Sequence, residues 1–194
     1  MPYTSAQVLD LVRLGESPTL ELKSSIPRVD DLARLISAFS NTAGGTIIVG
    51  ITERGEVPGV NTPDLARVFH RALGALIGAP RVDLESVSIN GKDVGVVTIE
   101  NGRTVTVSDF GAYQRIGSAL RAMSAPAITN ALREPGQPTD QITVMAKAIA
   151  RLTVTVESMN TQLENSNSPL TRVRDHIISG VIGAIIGIVL GKLF

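Results

Sequence analysis

Arg133-Glu134-Pro135-Gly136-Gln137-Pro138-Thr139 holds two prolines, one glycine and no apolar residue, so neither a helix interior nor a sheet core can run through it. It divides the 194-residue chain into stretches of different hydrophobic period. Before it, Ser and Thr caps, short β-branched runs and Asn-Gly turns follow one another closely, which predicts a mixed α+β domain over residues 1–132. After the 133–139 linker only helical periodicity remains.

The first stretch predicts helices over Ser5–Leu14, stopped by Gly15, and over Val29–Asn41, with Leu32, Leu35, Ile36 and Phe39 on one face. Strands are expected at Thr19–Lys23, at Thr46–Ile51 as a run buried on both sides, and at Val82–Ile89 and Val94–Glu100 around the hairpin signal Asn90-Gly91. Thr62-Pro63-Asp64 reads as a helix start, with Thr62 as N-cap. Further strands are expected at Thr104–Val107 and Tyr113–Ile116.

Residues 140–165 predict a coiled-coil helix. Ile142, Met145, Ile149, Leu152, Val156, Met159 and Leu163 recur at alternating spacings of three and four, an a/d pattern over about three heptads. The flanking e and g positions, Ala146, Thr153, Asn160, Ala148, Thr155 and Gln162, are uncharged, which favours self-association over a charge-selected partner. The other reading is an amphipathic helix folded back on the α/β domain.

Residues 166–176 break that helix and carry Arg172, Arg174 and His176. Residues 177–194 hold one ionisable residue, Lys192, and eleven large apolar ones, worth about −3 to −7 kcal/mol on the insertion scale. As a helix the run spans about 27 Å, close to a bilayer core of about 30 Å. It is expected to be a single-pass C-terminal membrane anchor with the N-terminal domain cytoplasmic. Gly183, Gly187 and Gly191 lie four apart, a face on which membrane helices pack closely. A buried oligomer helix or a membrane-surface helix is the alternative.

Composition narrows the chemistry. With no cysteine, the chain has no disulfides, thiol nucleophile or Cys-ligated metal, and its two histidines disfavour a His-rich site. Eighteen basic and eighteen acidic residues leave zero net charge, so any nucleic-acid binding must come from a local patch. Gly44-Gly45 is not a phosphate loop, since no Gly-Lys-Ser/Thr follows. In Thr19-Leu20-Glu21-Leu22-Lys23, strand alternation places Glu21 and Lys23 on one face, where a carboxylate could hold a hard cation and an ammonium could neutralise a phosphate. Spacing alone equally allows a surface ion pair. Glu16 converges with Glu21 only if the chain bends at Pro18.

Ser37-Ala38-Phe39-Ser40-Asn41-Thr42-Ala43-Gly44-Gly45, the preceding Leu20-Glu21-Leu22-Lys23, the following strand Ile48-Val49-Gly50-Ile51 and the later Tyr113-Gln114-Arg115-Ile116-Gly117-Ser118 occur in this order. Over roughly 15–131 the chain thereby resembles the AlbA-like DNA-binding domain of the Schlafen family. The resemblance implies nucleic-acid binding, RNA or DNA, and metal-dependent endoribonuclease activity in relatives with three acidic residues. Glu16 and Glu21 match the first two; the third is an Asp in the family, and here Glu53 stands nearest. The resemblance thus implies Glu16, Glu21 and Glu53, or Thr52 in place of Glu53, as ligands of Mg2+ or Mn2+, with Lys23 as a catalytic cation. Arg115 and Arg121 are candidate phosphate contacts, Tyr113 a candidate stacking platform. Asn41 is a candidate contact or, with the two glycines, a shaper of the corner.

The expected protein is a membrane-anchored, self-associating nucleic-acid-binding module. The alternative is a non-enzymatic membrane scaffold whose AlbA-like domain mediates protein assembly. Arg28, Arg34, Arg54, Arg115 and Arg121 gathered on one face would favour the first; their dispersal would favour the second.

Overall fold

The computed structural model describes residues 2–78, 80–102, 104–131 and 139–165, with side chains in the last stretch placed at 146–159 and 161. The chain forms two compact units, one of residues 1–108 with 113–121, the other of residues 109–112 with 122–194.

The first unit begins with α1 (Ser5–Leu14), opened by a capping box in which Thr4 Oγ1 accepts from Gln7 N and Gln7 Oε1 accepts from Thr4 N. Gly15 closes it at φ 74°. Then follow β1 (Leu20–Lys23), α2 (Val29–Ser40), β2 (Gly45–Val49) and α3 (Thr62–Gly74). The cap of α3 is Asn61, whose Oδ1 accepts from Asp64 N at 3.0 Å, so Thr62 lies inside the helix rather than capping it. Asn ranks above Thr at this position, which is consistent with the one-residue displacement.

After β3 (Leu76–Ile77), β4 (Val82–Ile89) and β5 (Lys92–Ile99) form the expected hairpin. Asn90 and Gly91 have φ of 52° and 76°, the doubly positive turn that matches strand twist. The chain continues as β6 (Val107–Ser108), β7 (Gly111–Ile116) and β8 (Ala119–Ala122). One four-stranded sheet has the order β1-β2-β5-β4, with β1 and β2 parallel and the other pairs antiparallel; a second has the order β3-β6-β7-β8. β3, β6 and β8 are only two to four residues long, too short for a periodic signal in the sequence.

The first sheet is covered on both faces. On one, Leu32, Leu35, Ile36 and Phe39 of α2 and Leu65, Phe69 and Ala72 of α3 meet Ile47, Val49, Val97 and Ile99. On the other, Val8 and Val12 of α1 meet Leu20, Leu22, Ile48, Val87, Ile89, Val94 and Val96. Leu20 and Leu22 share the α1 face, so alternation sends Glu21 to the α2 face.

The second unit contains α4 (Ala125–Ala131) and α5 (Thr139–Asn165), which pack on each other. Thr153 of α5 is fully buried; its hydroxyl accepts from Ala112 N at 3.3 Å and donates to Ile149 O at 2.9 Å. The buried positions of α5 are Ala146, Thr153 and Val156, whereas Ile149, Leu152 and Met159 are half-buried. The covered stripe is therefore rotated from the heptad seam toward two residues that the heptad places at its flanks. Small side chains there let the helix approach the backbone of residues 111–112. The coiled-coil positions Ile142, Met145 and Leu163 lie outside the described side chains. The stretch 177–194, with Gly183, Gly187 and Gly191, lies outside the described residues. No described helix is long and apolar enough to cross a membrane.

Candidate functional site

The motif residues of the sequence converge where α2 ends. Asn41, the C-cap residue, reaches across to the second sheet: its Nδ2 donates to Thr106 O at 2.8 Å and to Tyr113 O at 2.9 Å, and its Oδ1 accepts from Thr106 N at 2.7 Å. Ser37, one helical turn earlier, donates from Oγ to Thr106 O and accepts from Tyr113 N. Thr42 Oγ1 accepts from Arg115 N at 2.9 Å. These polar groups replace the ladder partners that the short strands cannot supply, and each is satisfied. Gly44 and Gly45 then turn the chain into β2 at φ 71° and 150°; a Cβ on Gly44 would stand 2.6 Å from Ile99 O.

Arg115 occupies the centre of this construction. Its side chain is fully buried; Nη1 donates to Glu21 Oε2 at 2.7 Å and Nη2 to Ser17 O at 2.8 Å, and the guanidinium lies 4.5 Å from the centre of the Phe39 ring. The other Glu21 oxygen accepts from Lys23 Nζ at 2.6 Å. Both oxygens of Glu21 are thus held by the chain's own cations, in a carboxylate that is 9% exposed.

Glu16 and Glu53 stand elsewhere. Glu16 Oε1 accepts from Leu22 N at 3.2 Å, closing the outer edge of β1. Glu53 lies in an exposed loop and lines a groove with Leu22, Ser24, Ile51 and Arg54, on the face of β1 opposite to Glu21. Among the described residues no three carboxylates or histidines stand close enough to share a metal ion. The expected ligand set Glu16, Glu21 and Glu53 does not fit Mg2+ or Mn2+, because strand alternation separates Glu21 from Glu53 and a guanidinium and an ammonium already neutralise Glu21.

The candidate nucleic-acid residues divide in the same way. Tyr113 is fully buried, so no ring face is open to a base, and Arg115 is enclosed. Asn41 is committed to the backbone of 106 and 113. In the folded chain all three residues act as internal ties. Arg121 alone among the four is exposed. It sits beside the β7–β8 turn, where Ile116 is 61% exposed and Gly117, Ser118 and Ala119 are exposed with it. Of the other arginines weighed, Arg28 pairs with Asp30 at 2.8 Å and Arg34 stands 5.8 Å from the Tyr113 ring centre. Ser17, Ser37 and Thr106 were not legible as parts of the site. Ser37 precedes Asn41 by one turn, a hint in retrospect, but nothing local marks the other two.

The family model for Schlafen, AlbA_2 matches residues 16–124, more than half of the chain. No curated protein matches it. Among solved structures, the chain is similar to the DIP2311 protein from Corynebacterium diphtheriae, with 18% identity and a TM-score of 0.49 over 64% of this chain. It spans 27% of that protein. It is also similar to the N-terminal domain of a RecG-related protein from Nitrosomonas europaea, with 20% identity and a TM-score of 0.42, over 71% of this chain and 99% of that one.

Proposed function

Since the chain belongs to the Schlafen AlbA_2 family, we propose that its first compact unit binds nucleic acid without cleaving it. The single observation that carries the second half of this reading is the pairing of Glu21 with Arg115 and Lys23, which commits both its oxygens to the chain's own cations instead of a hard metal ion. Binding itself is placed on the outward side of the β7–β8 turn. There an exposed Arg121 can grip phosphate, and Ile116 with the backbone of Gly117 and Ser118 supplies an apolar and amide surface beside it.

The test is fluorescence anisotropy of labelled tRNA and of duplex DNA with the purified protein across a salt series, beside incubation with Mg2+ or Mn2+. Salt-sensitive binding without cleavage supports the proposal. Cleavage that Glu21→Ala abolishes would restore the nuclease reading.

The second reading, a non-enzymatic scaffold that docks protein partners, draws support from the arginines: Arg28 and Arg115 are consumed in ion pairs and Arg34 by an aromatic ring. Absence of binding to either nucleic acid at low salt would favour it. In both readings we place the protein at a membrane through residues 177–194 and propose self-association through the α5 heptad and the Gly183, Gly187, Gly191 face. The support is the apolar run and the spacing in the sequence. Recovery of the full chain in the supernatant after high-speed centrifugation without detergent would overturn the anchor.

A further inference from the structure

The two edges of the first sheet are treated differently. At β1 most of the outward backbone groups are closed by the chain itself: Ser17 exchanges bonds with Leu20, and Glu16 accepts from Leu22 N. At the other edge lies β4, eight residues long, without proline, glycine or lysine. The two-residue turn makes Ile89 and Lys92 a hydrogen-bonded pair, and alternation along the register then turns Val87, Glu85 and Asp83 toward β5. Val82, Leu84, Ser86 and Ser88 direct their N–H and C=O groups outward. Among the described residues none donates to or accepts from these groups.

Sheet edges of this length are ordinarily protected by charge or proline. The two acidic side chains of β4 are tied back to the chain's own groups rather than aimed at the open edge. Asp83 is paired with Arg81 at 3.1 Å, and Glu85 Oε2 accepts from Tyr3 N at 2.9 Å. We infer that β4 is a pairing edge for β4 of a second copy of this chain, the two strands running antiparallel about a two-fold axis at Ser86.

Charge and overlap select that register. Centring on Ser86 sets Leu84 opposite Ser88, Glu85 opposite Val87 and Asp83 opposite Ile89, with no like charges facing. Moving the axis one step toward the N-terminus brings Glu85 opposite Glu85, which is destabilising. Moving it one step the other way shortens the overlap. The contact is isologous, so it closes at two copies and leaves no further edge on that side. The joined sheet has eight strands, and its outer edges are the two self-capped β1 strands.

The chain has no cysteine, so a single introduced one reports the register. In the two-fold arrangement the Ser86 Cα atoms are about 5.5 Å apart, within disulfide reach, whereas the Ser88 Cα atoms lie about 13 Å apart along the strands. Both serines are exposed, so neither substitution disturbs the interior. Full chain in mild detergent is oxidised gently and run without reductant. Ser86→Cys is expected to shift from 20.4 kDa to twice that mass while Ser88→Cys stays monomeric. Cross-linking of both variants, of Ser88→Cys alone, or of neither overturns the inference. The first of these is the result of association through the C-terminal helices alone, and the last is the result if another protein's strand fills the edge.

Discussion

The guanidinium of Arg115 lies 2.7 Å from the carboxylate of Glu21, joining β7 of one sheet to β1 of the other inside a single compact unit. Ninety-four residues separate the two along the chain. The pair explains why a motif with the look of a phosphate grip does not face solvent. Phe39 lies under the guanidinium and Ser17 O takes a second N–H, so both terminal nitrogens are engaged from within the chain, while Nε is buried without a hydrogen-bond partner.

Removing one partner leaves a buried charge without its counterion. Glu21→Gln is expected to lower stability by about 3–5 kcal/mol, read as a shift of the urea unfolding midpoint. The double variant Glu21→Leu with Arg115→Met should recover most of that loss, since well-packed apolar residues commonly replace a buried ion pair at little cost. A single variant that unfolds like the parent would contradict the structural role.

Asn41→Ala deletes three hydrogen bonds to the backbone of 106 and 113. Leaving these groups unpaired in a partly buried corner is expected to cost about 2–3 kcal/mol. Thermal unfolding measures it. Unchanged stability with lost nucleic-acid binding would return Asn41 to the contact surface.

Gly111 sits at φ 117°, and a Cβ there would stand 2.6 Å from Thr153 Cβ. Gly111→Ala is expected to destabilise the second unit by about 1–3 kcal/mol through forced displacement of α5. Faster proteolysis within α5, with the first unit protected, is the expected signature.

Burial raises the pKa of Asp109 above its ordinary value of 3.8. The folded state therefore binds this proton more tightly than the unfolded one. The corresponding stability is fully present below the unfolded value and is lost as pH rises through the folded one. Asp109→Asn should raise the melting temperature at neutral pH, and the advantage should vanish as pH falls below 3.8. A pH-independent difference between the two proteins would exclude this titration as the cause.

Arg121→Ala should weaken binding to tRNA and duplex DNA about equally and reduce the slope of log affinity against log salt by about 1, the signature of one lost phosphate contact. An unchanged slope would place the binding face away from the β7–β8 turn.

Local chemistry made much of the first unit readable in advance. The Ser5–Leu14 helix with its Gly15 stop, the Val29 start of α2, the buried β2 run and the Asn90-Gly91 hairpin each depend on residues within a few positions, and the periods of 3.6 and 2 report them directly. The Thr62 cap was displaced by one residue because Asn61 competes for the same amide. The short strands β3 and β8 and the helix α4 escaped detection because their form is set by what they pair with or pack on.

Sequence by itself determined the longer helices and strands of the first unit, the sharp corner at Gly44-Gly45 and the family to which the motif order belongs, because these rest on backbone preference and side-chain period. Tertiary structure alone decided which way the charged residues point. Glu21 meets Arg115 rather than Glu16 and Glu53, Tyr113 turns inward, and α5 buries Ala146 and Thr153 beside Val156 rather than the whole heptad seam. Such outcomes depend on which distant segments become neighbours, and strand parity at one end of the chain carries no information about the groups that the other end will bring opposite it.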